Sequence, residues 1–139
     1  ELDAGAAETA VCGVDTTQSV AEARQAARSL ARWTGGAVAV SGKEDLVTDG
    51  ETVFLSAGGS PFMTKITGAG CSLGGVMAVY ACCAEPFIAA AASVALYNLA
   101  GERAEKDASG PGSFRQQFID ELYLATPEEI AGWPFKLDT

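Results

Sequence analysis

Thr67-Gly68-Ala69-Gly70-Cys71 brings together the residue types from which an anion-handling site is made. Two glycines two apart let the backbone turn sharply at positive φ and let a ligand come close. An extended segment, Phe62 to Thr67, precedes the turn, and a long apolar run, Ser72 to Cys83, follows it. That order predicts a turn in which the amides of Gly70, Cys71 and Ser72 open a helix with their N–H groups unpaired. Free amides and the positive end of a helix dipole attract anions. The same end favours the thiolate form of a cysteine placed on it. An anion cradle and an activatable side chain thus share one turn. On spacing alone the alternative stays open: a tight strand-to-helix connection with a cysteine that packs, because a short glycine motif is a weak signal.

The motif is neither of the two familiar phosphate loops. No Gly-Lys-Ser/Thr follows it, as a P-loop requires. The third glycine of G-x-G-x-x-G would fall at Leu73, and the motif sits late in the chain instead of in an opening βαβ unit. Phosphate binding of another kind remains, and an alcohol kinase is one activity that uses it. Such an enzyme needs a cradle for the transferring γ-phosphoryl group and benefits from a base near the attacking hydroxyl. Gly68 to Cys71 can supply both.

The turn must be held by a sheet and helices. Asp15 to Thr34 reads as a capped start followed by an amphipathic helix, with Val20, Ala23, Ala27 and Leu30 inward and Glu22, Arg24 and Arg28 toward water. Gly35-Gly36 ends it, and Ala37 to Val40 is a continuous apolar run expected as a strand covered on both faces. A helix feeding a strand through a short Gly loop predicts an αβ unit of a mostly parallel sheet. Asp49-Gly50, between Leu46–Thr48 and Thr52–Leu55, predicts a hairpin. Helices are expected at about 71–83 and 87–105, with Pro86 near the start of the second. Gly110-Pro111-Gly112 reads as a rigid loop and Ser113 as a helix cap. Phe114, Phe118 and Leu122 form one core stripe, and Thr126-Pro127-Glu128-Glu129 a capping box.

Composition removes several classes of function. With 139 residues, one domain or part of one is expected. Nine Lys+Arg stand against 18 Asp+Glu, a formal charge of −9, which argues against nucleic acid or an anionic membrane surface as a partner. Histidine is absent, so Ser-His and Cys-His hydrolases and His-ligated zinc are excluded. Cys12, Cys71, Cys82 and Cys83 form no C-x-x-C pair, so no metal site is assigned. Cys82 and Cys83 read as reduced, core-packing residues of a cytoplasmic protein. Phe87 to Ala100 is too short and too Ala-rich for a membrane span and reads as a buried helix.

Thr67-Gly68-Ala69-Gly70-Cys71 resembles the glycine-rich anion hole of the ribokinase-like superfamily, whose last position is usually Asp. Cys there is the pattern of the hydroxyethylthiazole kinase family. Further stretches are similar to that family in the same order: Gly13-Val14-Asp15, Ser41-Gly42 after the Ala37–Val40 strand, Val47-Thr48-Asp49-Gly50, Pro61-Phe62-Met63-Thr64-Lys65 and Gly110-Pro111-Gly112-Ser113-Phe114.

The resemblance implies an α/β, ribokinase-like layered fold and ATP-dependent phosphorylation of the alcohol of 4-methyl-5-(2-hydroxyethyl)thiazole in thiamine salvage. It implies Mg²⁺, with ATP as co-substrate, and a homotrimer with the thiazole site at a subunit interface. The family's first part, with its opening parallel strands and Mg²⁺-linked motif, has no counterpart here, so residues 1–139 are expected to be the C-terminal portion of a single kinase domain. Carried over residue by residue, Cys71 is the catalytic base and Gly68 touches the thiazole. The amides of Gly68, Ala69, Gly70 and Cys71 hold phosphoryl oxygens, and Ser41 takes the place of a Thr that contacts ATP. Lys43 departs from the family's usual Glu and reads as a solvated surface residue. The alternatives are another ribokinase-like kinase, such as one for hydroxymethylpyrimidine, where Asp is expected at position 71, and a nucleotide-binding module without chemistry of its own.

Overall fold

The computed structural model describes residues 20–139. Cys12, the Gly13-Val14-Asp15 motif and the expected helix start at Asp15 lie outside the described residues, as do the side chains of Val20 and Glu22. Helix α1 (Val20–Thr34) leads to strands β1 (Val38–Val40), β2 (Glu44–Thr48) and β3 (Val53–Ala57). A 3₁₀ turn (Pro61–Lys65) and helices α2 (Ala69–Tyr80), α3 (Pro86–Asp107), α4 (Pro111–Leu124) and α5 (Pro127–Ala131) follow, before β4 (Lys136–Asp138).

The α/β class holds, but the sheet is not mostly parallel. Its order is β1-β2-β3-β4, and every pairing is antiparallel, with Ala39 opposite Val47, Val47 opposite Phe54 and Phe54 opposite Leu137. For β1–β2 and β2–β3 the reason is connection length: hairpins join antiparallel neighbours, whereas parallel neighbours need a long crossover. The turns Ser41–Lys43 and Asp49–Thr52 are too short for anything else. At the second turn Asp49 Oδ1 accepts from the amides of Glu51 and Thr52 at 2.9 and 2.7 Å, and those bonds, Thr52 first, lower the Asp49 carboxyl pKa.

Side chains alternate across the sheet, and both faces are covered. Leu46 and Val53 pack on Ala27 of α1. Val47 and Phe54 pack on Ala90 and Val94 of α3. The sheet thus lies between α1 and α3, and α3 in turn lies between the sheet and α4, whose Phe114 and Phe118 meet its other side. Phe114, Phe118 and Leu122 are the core stripe the sequence predicts.

Several local expectations are corrected. Among the described residues β1 is an edge strand, with Ala39 exposed and Val38 and Val40 half-buried, so they do not cover it on both faces. In α1 the inward position is Ala31, while Leu30 is exposed. Arg28 does not simply face water: its guanidinium donates to the carbonyls of Gly50 and Glu51 at 3.1 and 2.9 Å, tying α1 to the hairpin.

Phe62 to Thr67 is not extended. Ser60 Oγ accepts from the Phe62 amide at 3.1 Å, Pro61 opens the 3₁₀ turn, and Phe62 turns inward to lie 5.5 Å from the Phe114 ring. Pro111 and Gly112 belong to α4, and Ser113 is not its cap. From inside the first turn the Ser113 hydroxyl reaches back to accept from the amides of Ser109 and Gly110. Cys82 and Cys83 are exposed, in the turn after α2, and not packed in the core. Among the described residues no helix is long and apolar enough to cross a membrane.

Candidate active site

The glycine turn forms at the start of α2. Gly68 is the N-cap at φ 90°, ψ 4°, a left-handed conformation that glycine adopts without a Cβ clash. Gly70, by contrast, sits in the first helical turn at ordinary φ. The Ser72 amide is not free, since it donates to the Gly68 carbonyl at 2.9 Å. The unpaired set is therefore shifted by one: the amides of Ala69, Gly70 and Cys71 have no acceptor among the described residues. Ser72 also donates through Oγ to the Ala69 carbonyl at 2.9 Å, and accepts at 2.9 Å from the hydroxyl of Tyr97 on α3. Burial raises the Tyr97 phenol pKa, and the Ser72 bond opposes that shift.

A cleft of about 590 Å³ opens beside this turn. Ala69 and Gly70 form one wall, the Ser41-Gly42-Lys43 turn and Asp45 another, and Tyr97 and Asn98 of α3 contribute to its lining. Ser41 and Gly70 are 29 residues apart in the chain, and the fold brings them to one cavity. Gly68 and Cys71 belong to the same turn but do not line the cleft, and Cys71 is exposed. Lys43 is exposed and lines the cleft as well.

Asp45 was not singled out from the sequence. Its Oδ1 accepts from the Gly42 amide at 3.0 Å and its Oδ2 from Asn98 Nδ2 at 2.9 Å. Burial pushes its carboxyl pKa up, against the opposing pull of those two bonds. Asn98 Nδ2 also faces Ser56 Oγ at 3.4 Å, which accepts from Trp133 Nε1 at 3.0 Å. The signal for Asn98 was present in the sequence: a buried amide inside an apolar helix must find partners. Which partners depended on folding.

A model of the hydroxyethylthiazole kinase family matches residues 3–128. The chain belongs to the hydroxyethylthiazole kinase family. A relative named hydroxyethylthiazole kinase from Bifidobacterium animalis subsp. lactis (strain AD011) is 50% identical over 132 residues, 90% of this chain and 44% of that protein. One from Cereibacter sphaeroides (strain ATCC 17029 / ATH 2.4.9) is 45% identical over 124 residues, 89% of this chain and 47% of that protein. The solved structure of a hydroxyethylthiazole kinase protein from Pyrococcus horikoshii OT3 matches with a TM-score of 0.76 at 29% identity, over 85% of this chain and 46% of that one. The chain thus spans a little under half the length of the curated relatives it matches.

The family resemblance implies Mg²⁺, for which the described residues offer no ligand cluster of their own. Among them no three His, Cys, Asp or Glu side chains gather to hold a metal. Asp45 is the carboxylate lining the cleft, and each of its oxygens already accepts a bond from the protein. Mg²⁺ wants several oxygens in octahedral array.

Proposed function

We propose that this chain carries the anion-hole portion of a hydroxyethylthiazole kinase, which phosphorylates the primary alcohol of 4-methyl-5-(2-hydroxyethyl)thiazole with ATP in thiamine salvage. The observation that carries this reading is the Gly68 turn. In a chain matching the family over residues 3–128, it leaves three amides without acceptors among the described residues, at the start of a 12-residue helix. Ala69 and Gly70 line a cleft that also receives Ser41. Donors fixed in advance where charge develops are the main device of phosphoryl transfer.

In this reading the amides of Gly68, Ala69, Gly70 and Cys71 receive the phosphoryl oxygens. Ser41 contacts ATP and Gly68 contacts the thiazole. The substrate hydroxyl oxygen forms a bond to the γ-phosphorus as the bond to the β–γ bridging oxygen breaks. ADP leaves, and the hydroxyl proton passes to Cys71 Sγ. The chain is read as the C-terminal portion of a single ribokinase-like kinase domain that works in the cytoplasm as a homotrimer.

The test is thiazole-dependent ADP release by the intact protein and its Cys71 variants. Cys71→Ser is expected to lose about 10²–10⁴-fold in kcat, the range for one general base, and less where a loose transition state needs the base less. Cys71→Asp is expected to keep substantial activity, because a carboxylate accepts the proton. A phosphocysteine trapped by mass spectrometry, or an Asp variant as inactive as the Ser variant, overturns the role of Cys71. ATP binding without thiazole-dependent turnover in the wild type overturns the function and favours the non-catalytic module.

A further inference from the structure

Tyr97 and Asn98 are consecutive on α3, and the fold makes both almost fully buried, at 2% and 4% exposure. Neighbours on a helix point about 100° apart, so the two side chains reach different walls of the cleft. Tyr97 donates to Ser72 Oγ, and Ser72 in turn bonds the Ala69 carbonyl through its hydroxyl and the Gly68 carbonyl through its amide. The opening turn of α2 is closed on itself through Ser72, and Tyr97 joins it to the core helix. Asn98 donates to Asp45, and Asp45 accepts from the Gly42 amide. The turn that carries Ser41 is thereby joined to the same helix one residue further on.

We infer that Tyr97 and Asn98 are positioning residues that set the two walls independently: Tyr97 holds the anion-hole turn through Ser72, and Asn98 holds the Ser41-Gly42 turn through Asp45. This rests on reading the cleft as the phosphoryl-transfer site. Three observations support it. Both ties are part-buried, and each starts from an α3 side chain that is itself almost wholly buried and so has few alternative positions. The Asn98 amide is held by more than one partner, since Nδ2 faces Ser56 as well as Asp45, and Ser56 is itself bound to Trp133 and donates to the Pro134 carbonyl at 3.2 Å. The ring of Tyr97 is fixed edge-on against Phe118 at 5.2 Å, so its hydroxyl is delivered to Ser72 at a set height. The backbone also approaches α3 closely here. A Cβ on Gly101 would stand 3.2 Å from Gly59 Cα and 3.3 Å from the Ser60 amide nitrogen, so the loop entering the 3₁₀ turn rests directly on the helix.

The experiment uses two near-isosteric variants of the intact protein. Tyr97→Phe removes one oxygen and keeps the ring on Phe118. Asp45→Asn keeps the shape but can accept from only one of its two donors, Gly42 or Asn98, because the other position becomes N–H. The first readout is hydrogen–deuterium exchange of two segments, 41–46 and 68–73. Tyr97→Phe is expected to speed exchange in 68–73 by about 2–12-fold, one hydrogen bond's worth, and to leave 41–46 unchanged. Asp45→Asn is expected to give the reverse. The second readout is steady-state kinetics. Tyr97→Phe lowers kcat by about 2–12-fold at unchanged KM for ATP, and Asp45→Asn raises KM for ATP by that factor at unchanged kcat. Both segments moving together in either variant, no change in either, or kcat and KM shifting in parallel in both variants overturns the inference. A wild type without thiazole-dependent turnover removes the kinase reading alone, because the exchange pattern still decides whether the two ties act separately.

Discussion

Gly68 and Gly70 look equivalent in the motif, yet they do different things. Gly68 holds a left-handed φ of 90° in open space, while Gly70 is an ordinary helical residue whose added Cβ would meet no protein atom within 4 Å. Strain from a side chain at position 70 is therefore absent, and any penalty there has to come from what approaches the turn from outside. Gly68→Ala is expected to lower stability by about 1–2 kcal/mol, the cost of an L-residue in that region. Gly70→Ala is expected to leave the thermal midpoint unchanged or slightly raised, while turnover falls, toward about 10²-fold if phosphoryl oxygens are displaced by an ångström. Melting curves and kcat for the two variants check this. A Gly70→Ala protein with normal turnover would mean that no ligand group comes within reach of that Cα.

At the scale of elements, α5 shows how a short helix is held at the border of the molecule. Its capping box is reciprocal: the Glu129 amide donates to Thr126 Oγ1 at 3.3 Å and the Thr126 amide to Glu129 Oε2 at 2.9 Å. Arg103 on α3 adds a charged bond to Glu129 and lies 3.6 Å from Glu121 on α4, so three helices meet at one guanidinium. The Arg103 bond, with the Thr126 amide second, holds the Glu129 carboxyl down from its ordinary 4.5 to about 2. A depressed carboxyl contributes stability above its unfolded value and loses it as pH falls through the folded one. Between pH 4.5 and about 2 the wild type is therefore expected to lose more stability than Glu129→Gln, which has nothing to protonate there. Urea midpoints against pH measure it, and parallel curves would remove the pair from the acid response. Salt screening keeps the effect small at so exposed a site.

At the scale of the whole molecule, β1 is one of the sheet's two edges among the described residues, β4 being the other. β1 pairs with β2 and, among the described residues, with nothing on its other edge. Next to it an apolar groove of about 250 Å³ runs past Ala37, Ala39, Met77 and Pro86, and Trp33 of α1 stands 69% exposed. A bare edge beside apolar surface templates association. Residues 1–139 produced alone are expected to self-associate and to lack kinase activity, measured by light scattering and ADP release. A monomer with a cooperative melt would contradict this. What the sequence determined by itself was whatever is encoded within a few residues: the Asp49-Gly50 hairpin, the Phe114-Phe118-Leu122 stripe and the Thr126–Glu129 box, whereas of the two glycines expected at positive φ only Gly68 has it. Each of those three features depends on local sterics or periodicity, and each appears in the fold. Tertiary structure decided what depends on distant partners. Strand direction followed from which strands met. Phe62 turned inward because Phe114 offered it a ring, and Ser72 lost its free amide to Gly68. Asp45 and Asn98, 53 residues apart, became one contact only once the sheet lay against α3. A residue's own chemistry states what it needs, and only the packed chain decides which group supplies it.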